Sequence, residues 1–312
     1  MISVVRYQSQ SKEEWNNLVN NAKNGLFLFD RNYMEYHQSR FWDHSLLFYK
    51  KNSLIAALPA NIADDVLHSH AGLTFGGIIM DKSLQTSDIL EIFNALMDYA
   101  KENHITKILY KAIPSIYHTI PAEEDRYALF LKGGTIIRRD LTSTLNMREP
   151  ALFTTARKRK IRMAEKNTLQ IREDDNYAEF WKILEDNLQQ RYNKKPVHTL
   201  EEIRYLKNLF PAHIRLFSCY EDDRMASGAV IYESANVAHI QYNASTEGGR
   251  RLSALDLVIS HLITRIFPAK RFFDFGISTE DMGRYFNRDL AFYKESFGAR
   301  AIVHDTYELT VP

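Results

Sequence analysis

Three stretches carry residues able to do chemistry. In DLAFYKESFGAR (289–300), Lys294 follows Tyr293 and lies between Phe292 and Phe297. An ammonium held among aromatic residues either snorkels to water or is aimed at an electron-rich group such as a developing oxyanion. In FFDFGIS, Asp274 stands in an apolar run ending at Gly276. A carboxylate there must be hydrogen bonded or ion paired, because burying it bare is costly. Asp274 is thus a candidate general base, or a carboxylate that ties down the amides of the next loop. His198, after RYNKKPV and just ahead of a helix, is the other candidate base toward an attacking amine.

EGGRRLSALDL (247–257) sets Gly248, Gly249, Arg250 and Arg251 before a helix expected to begin near Ser253. Free amides, a helix N-terminus and arginines are what an anionic phosphate needs. The alternative is an ordinary strand-to-helix loop. RKRKIRMAEK (157–166) is dense in basic residues; a helix there buries Ile161 and Ala164 and leaves the charges solvated, or offers a phosphate-binding face. Metal chemistry is not expected, since His68 and His70 are only two residues apart and there is no H-E-x-x-H or cysteine pair. The lone Cys219 falls in the expected strand LFSCYE, and no G-x-S-x-G elbow is present, so covalent catalysis has no evident nucleophile.

The elements that must position these residues read the same way twice. In the second half, TLQIRE is a strand, NYAEFWKILEDNLQQR a helix, and Thr199 with Glu202 a capping box opening another helix. IRLFSCY, MASGAVIYES and VAHIQYNAS form a meander; the helix from Ser253, the strand FFDFG, the helix over DLAFYKESF with Phe292 and Phe297 inward, and a final strand in AIVHDTYELTV follow. The first half repeats the order, with a capping box at Ser11 and Glu14, a helix after Asp30, a hairpin turning at Lys51-Asn52, the helix SDILEIFNALMDYAKEN and the strand KILYKA, after which Pro114 stops regular structure. Ser45 and Ile214, Ser87 and Ser253, and Lys107 and Phe272 keep a nearly constant separation, which argues for duplication. An α+β fold of two tandem units is expected, each a mostly antiparallel mixed sheet flanked by helices, with a cleft at the one parallel strand pair. The break falls near MREP, giving units 1–147 and 148–312.

The chain has 312 residues, 45% of them hydrophobic, enough for about two domains of ~100–200 residues. With 40 basic against 39 acidic residues the net charge is +1, so no global field recruits DNA or an anionic membrane. One cysteine excludes an internal disulfide, and no apolar run approaches the ~18 residues of a membrane helix. A cytoplasmic location is expected; oligomeric state is not legible.

RMAEKNTLQI, RYNKKPVHTLEEI, HIQYNASTEGGRRLSALDL, FFDFGIS and LAFYKESFGAR, in this order, resemble the GNAT-type acyltransferases, and the doubled chain resembles their FemAB-like branch of two such units. The resemblance implies that residues 248–254 hold the pyrophosphate of an acyl-CoA donor: Gly248, Gly249, Arg250, Arg251, Leu252, Ser253 and Ala254. The family pattern R/Q-x-x-G-x-G/A is broken here, since Arg250-Arg251-Leu252-Ser253-Ala254 lacks the central glycine. It also implies that Lys294, in an aromatic–lysine–x–x–phenylalanine–glycine segment, helps bind the donor and stabilise the oxyanion, a contribution of ~3–4 kcal/mol for such donors. Gln241, Tyr242 and Tyr293 are assigned to the substrate, and Asp43, Thr74 and Phe75 of the first unit to the acceptor. The implied reaction is N-acyl transfer from acyl-CoA to an amine, on an amino sugar, a cell-envelope precursor or another small amine, with no metal. The base is His198, Asp274 or water. Aminoacyl transfer from aminoacyl-tRNA to a peptidoglycan-type precursor is the alternative within the family, and a degenerate non-catalytic binding module the alternative outside it.

Overall fold

A computed structural model describes residues 1–312, apart from the side chains of His37 and Tyr192. Two compact units result: Met1–Asp140 with Asp281–Arg284 and Val303–Pro312, and Leu141–Glu280 with Tyr285–Ile302.

The first unit contains β1 (Ile2–Arg6), α1 (Lys12–Asn21), α2 (Arg31–Met34), β2 (Leu46–Lys50) and β3 (Ser53–Leu58). Then come β4 (Asn61–Ala63), β5 (Val66–His68), β6 (Ile79–Met80), α3 (Thr86–Glu102), β7 (Lys107–Lys111), α4 (Glu124–Leu131) and the start of β8 (Thr135–Asn146). β1, β2, β3 and β6 pair antiparallel in that order. The β2–β3 hairpin turns where expected, with Lys51 and Asn52 both at positive φ, the geometry a two-residue turn of primed type demands. α3 buries Ile89, Ile92, Phe93, Leu96 and Ala100, a stripe at helical spacing, into a core shared with Phe48, Ile108 and Tyr110. The expected capping box at Ser11 does not form. Ser9–Ser11 is a single 3₁₀ turn running into α1, and Glu14 instead accepts from the Tyr49 hydroxyl at 2.7 Å.

The second unit contains α5 (Thr155–Ala164), β9 (Leu169–Asp174), α6 (Tyr177–Tyr192), α7 (Leu200–Leu209), β10 (Ile214–Glu221), β11 (Arg224–Glu233) and β12 (Val237–Ser245). It continues with α8 (Glu247–Arg251), α9 (Ala254–His261), β13 (Phe272–Ile277), β14 (Thr279–Glu280), β15 (Tyr285–Phe286) and α10 (Arg288–Glu295), and β16 (Arg300–Thr310) ends the chain, its residues from Val303 belonging to the first unit. β9 to β12 form an antiparallel meander, β13 joins β12 in parallel, and the second half of β8 joins β13 antiparallel. The Thr199–Glu202 capping box opens α7 as its sequence requires.

Successive strand residues face opposite sides of a sheet, which sorts the two layers. A side chain at Gly228 would strike Phe180 of α6, whereas Ala229, Ala238, Ile240, Phe273 and Phe275 share a core with Val258, Ile259 and Leu262 of α9 and its extension. α6 and α9 therefore cover opposite faces. Each fully buried phenylalanine, such as Phe217 or Phe273, contributes ~1.5–3 kcal/mol to holding them there.

Three further readings of the sequence are corrected. Regular structure does not stop at Pro114, since α4 and the twelve-residue β8 follow. EGGRR is not an open loop but the short helix α8. Phe292 is 71% exposed; α10 is anchored by Ala291 and Phe297, while Phe292 faces out.

Candidate active site

β12 and β13 are the parallel pair of the second unit, and their ladder ends at His239 opposite Asp274. On the other side of β13, Thr144 of β8 is the register partner of the same aspartate. One row thus crosses three strands: Thr144, Asp274, His239. Because Phe273 and Phe275 point to the α9 core, Asp274 points the other way, and so do its row neighbours. Asp274 is fully buried. Its Oδ1 accepts from the hydroxyls of Thr142 (2.6 Å) and Thr144 (2.9 Å), and its Oδ2 is 2.7 Å from Nδ1 of His239. These partners satisfy the desolvated carboxylate.

Beyond the His239–Asp274 pair the strands part, although β12 runs to Ser245 and β13 to Ile277. Two irregularities open the space. β12 bulges at Gln241, where Ile240 and Tyr242 pair with the consecutive Ile231 and Val230. Gly276 takes φ +77°, and the nearest atom to a methyl added there would be Cε1 of the His239 ring, at 3.5 Å.

Lys294 closes this end. α10 starts at Asn287, whose side chain accepts from the Leu290 amide, and its buried face presents Ala291 and Lys294. The ammonium donates to the carbonyls of Gly276 (2.8 Å) and Ile277 (2.6 Å). Burial pulls its pKa down to about 8 against the opposing pull of nearby Asp274. Tyr293 does not reach the splay. Its hydroxyl donates to Asp256 of α9 at 3.0 Å, and burial, with Asp256 second, pushes its pKa well up. Asp256 also pairs with buried Arg157 of α5, whose guanidinium stacks on the Tyr293 and Phe297 rings and donates to Ser296. That network locks α10 to α9 and α5.

His198 is buried, with Nδ1 2.6 Å from the hydroxyl of Tyr242, whose ring packs edge-on against Trp181. It joins β12 to α6 and the start of α7, while His239 meets Asp274. The two candidate bases thus fall in different hydrogen-bonded pairs.

The EGGRR segment is more committed than its sequence implies. The hydroxyl of Thr246 caps α8 by accepting from Gly249. Gly249 is glycine for packing, because a methyl there would lie 2.1 Å from the Ala226 carbonyl oxygen; Gly248 is open. Arg250 donates to Ser245 O at 2.7 Å, and Arg251 forms an exposed pair with Glu247. The Leu252 and Ser253 amides bond back to Gly248 and Arg250. Ser253 sits in the left-handed region and no side chain caps α9, so the first-turn amides from Ala254 onward remain available to an anion. In α5 and the turn after it, Arg157, Ile161 and Ala164 are buried, while Lys158, Arg159, Lys160, Arg162 and Lys166 are exposed.

In the first unit, Asp43 accepts from Arg31 and from the Ser45 amide and lines a depression of about 400 Å³ with Arg6, Tyr7, Arg31 and Glu35. Neither Thr74, which is exposed, nor Phe75, buried against Tyr117, lines it. Sequence reasoning missed His239, Thr142 and Thr144, and it took Arg157 only as part of the basic 157–166 face rather than as the buried partner of Asp256. The available signal was His239 itself, the one histidine in the strand VAHIQYNAS, set beside a strand whose buried aspartate needed donors.

Residues 153–294 match the family model described as an acetyltransferase (GNAT) domain. No curated protein matches the sequence. Among solved structures, the chain is similar to FemX (TM-score 0.67, 11% identity, 99% of this chain and 97% of that one). It is also similar to the C-terminal domain of a protein described as a lysylphosphatidylglycerol synthetase from Agrobacterium fabrum (0.64, 10%, 97% and 92%). A third is a tandem GNAT protein from the clavulanic acid biosynthesis pathway (0.55, 11%, 100% and 99%). At these identities the shared property is the fold.

Proposed function

We propose that the chain, whose residues 153–294 match a GNAT acetyltransferase domain and whose fold is like that of FemX, moves an acyl group from an acyl-CoA-type thioester onto a primary amine at the β12–β13 splay. The observation that carries this reading is the parallel pair that ends at His239 and Asp274 and opens beside Gly276, with Lys294 bonded to the carbonyls at its rim. A carbonyl placed there meets strand amides released from the ladder and an ammonium with two of its three donors committed. An amine attacking that carbonyl generates an oxyanion, and fixed donors in a water-poor site stabilise it without reorganising.

The residues at the start of α9 fit a diphosphate in a reduced form of the family grip. Arg251 and the uncapped amides from Ala254 supply charge and donors, while Gly249 and Arg250 serve the fold. Coenzyme A, when bound, supplies the acyl group as a thioester with a thiol leaving group. The acceptor belongs to the class of small or cell-envelope amines.

Aminoacyl transfer from a charged tRNA is the second reading, favoured by the five exposed basic residues of α5 and its junction, whose Arg157 ties that helix to Asp256 in the first turn of α9. Calorimetry and a free-thiol assay with acetyl-CoA and longer acyl-CoAs, over a panel of amines, test the first reading, and aminoacyl-tRNA with and without RNase tests the second. Thiol release that depends on an amine supports acyl-CoA transfer. If neither donor class binds nor is consumed, the proposed function fails.

A further inference from the structure

We infer that His239 is the general base of the reaction and that Asp274 is its positioning residue, held in turn by Thr142 and Thr144. The inference rests on the acyl-transfer reading for its chemistry, but its geometry stands apart from it.

Asp274 is an acceptor on every bond described for it above. Two threonine hydroxyls donate to Oδ1, and the nearby Lys294 charge favours the carboxylate form. The atom 2.7 Å from Oδ2 must then bring a proton, so His239 carries its hydrogen on Nδ1 and presents a lone pair on Nε2. No protein group among the described residues bonds Nε2, and the side chain is 17% exposed, against 0% for Asp274. The imidazole edge borders the space kept open by Gly276. Asp274 itself is buried behind the histidine and its threonines and has no path to a substrate proton. His198 has its Nδ1 on Tyr242, a phenol rather than a carboxylate. The charged groups about His239 are Asp274 from β13 and, beyond it, Lys294 from α10; β8 supplies neutral hydroxyls, and β11 sets Tyr232 opposite in register.

The step balances without further reagents. The amine nitrogen forms a bond to the carbonyl carbon and the carbonyl π pair moves to oxygen. The proton shed by nitrogen goes to Nε2, the oxyanion pair returns, the carbon–sulfur bond breaks, and the imidazolium returns the proton to the leaving thiolate. Asp274 stays ionised and stabilises the imidazolium.

Two measurements test this, one independent of activity. Long-range ¹H–¹⁵N spectra of the full chain should show His239 as the Nδ1–H tautomer at neutral pH, shifting toward Nε2–H in Asp274→Asn; an Nε2–H tautomer in the wild type overturns the inference whatever the protein catalyses. In single-turnover transfer from pH 5.5 to 9, His239→Gln should lose ~10²–10⁴-fold in rate together with the acid limb of the profile, while donor affinity and the melting temperature hold. Asp274→Asn should shift that limb. A folded His239→Gln protein with wild-type rate and profile overturns the dyad and leaves acyl transfer standing. A wild type with the expected tautomer but no transfer from any donor overturns the acyl-transfer reading and, with it, the role of base.

Discussion

The row that crosses β8, β13 and β12 in the second unit has a counterpart in the first. There β5 and β7 are the parallel pair, ending at His68 opposite Leu109, and β16 sets Glu308 on the far side of Leu109. One row reads Thr144, Asp274, His239, and the other Glu308, Leu109, His68. Both units keep a histidine at the last rung of a parallel pair. Only the second gives it a carboxylate.

The consequence is chemical. Leucine can neither orient the His68 ring nor stabilise its protonated form, and the pKa of His68 is lowered by burial and by the Lys111 charge. The lysines differ in the same sense. Burial lowers Lys111 to about 8, with Arg138 adding to the shift, and its ammonium donates to the carbonyls of His70, Ala71 and Leu73. All three donors of Lys111 serve a loop. Lys294, also near 8, holds two carbonyls and has a carboxylate beside it. The first unit has the same frame with Leu109 where the second has Asp274, and a lysine committed to a loop where the second has Lys294.

The largest effect expected is on the histidines. His239→Gln loses ~10²–10⁴ in rate, whereas His68→Gln leaves transfer within a few-fold of wild type, measured as single turnovers with saturating donor. Equal losses would erase the distinction between the rows.

The lysines come next. Lys294→Met should lower kcat ~10²–10³-fold and remove a basic limb near pH 8, where the wild-type ammonium discharges. Lys111→Met should lower the melting temperature but keep that limb. The sign for stability is the reverse of activity. A lysine whose folded pKa is depressed binds fewer protons folded than unfolded, so stability rises with pH from about 8 toward the ordinary lysine value. Either methionine variant should flatten part of that rise in denaturant titrations.

A smaller effect writes the second row into the first. Leu109→Asp places a carboxylate beside His68, and its pKa by NMR titration should move up from its lowered wild-type value. An unchanged or lower value would mean that the two rows are not equivalent in geometry. The smallest contrast is in α8, where Gly249→Ala should cost ~1–3 kcal/mol by overpacking against Ala226 O and Gly248→Ala close to nothing, read from melting curves.

Much of this frame was legible in the sequence. The meander from Ile214 to Ser245, the Thr199 cap and the Lys51-Asn52 turn follow from local rules of alternation, capping and turn chemistry. The site was half legible. Asp274 announced a need for partners, but which residues met it depends on register between strands far apart in sequence, Thr144 and His239 among them. Lys294 stood out by type, but its bonds to Gly276 and Ile277 depend on how a helix returns to the sheet. Phe292 misled because helical spacing alone does not say which of two aromatic residues faces in. EGGRR read as a phosphate loop, although Gly249 is required by a carbonyl on a neighbouring strand.

The most direct test of the central claim is a crystal structure of the full chain with a non-transferable acyl-CoA analogue. The acyl carbonyl is expected in the β12–β13 splay with His239 Nε2 facing the acceptor side, and no analogue at the β5–β7 row. Density for the carbonyl beside His68, or away from both parallel pairs, would contradict it.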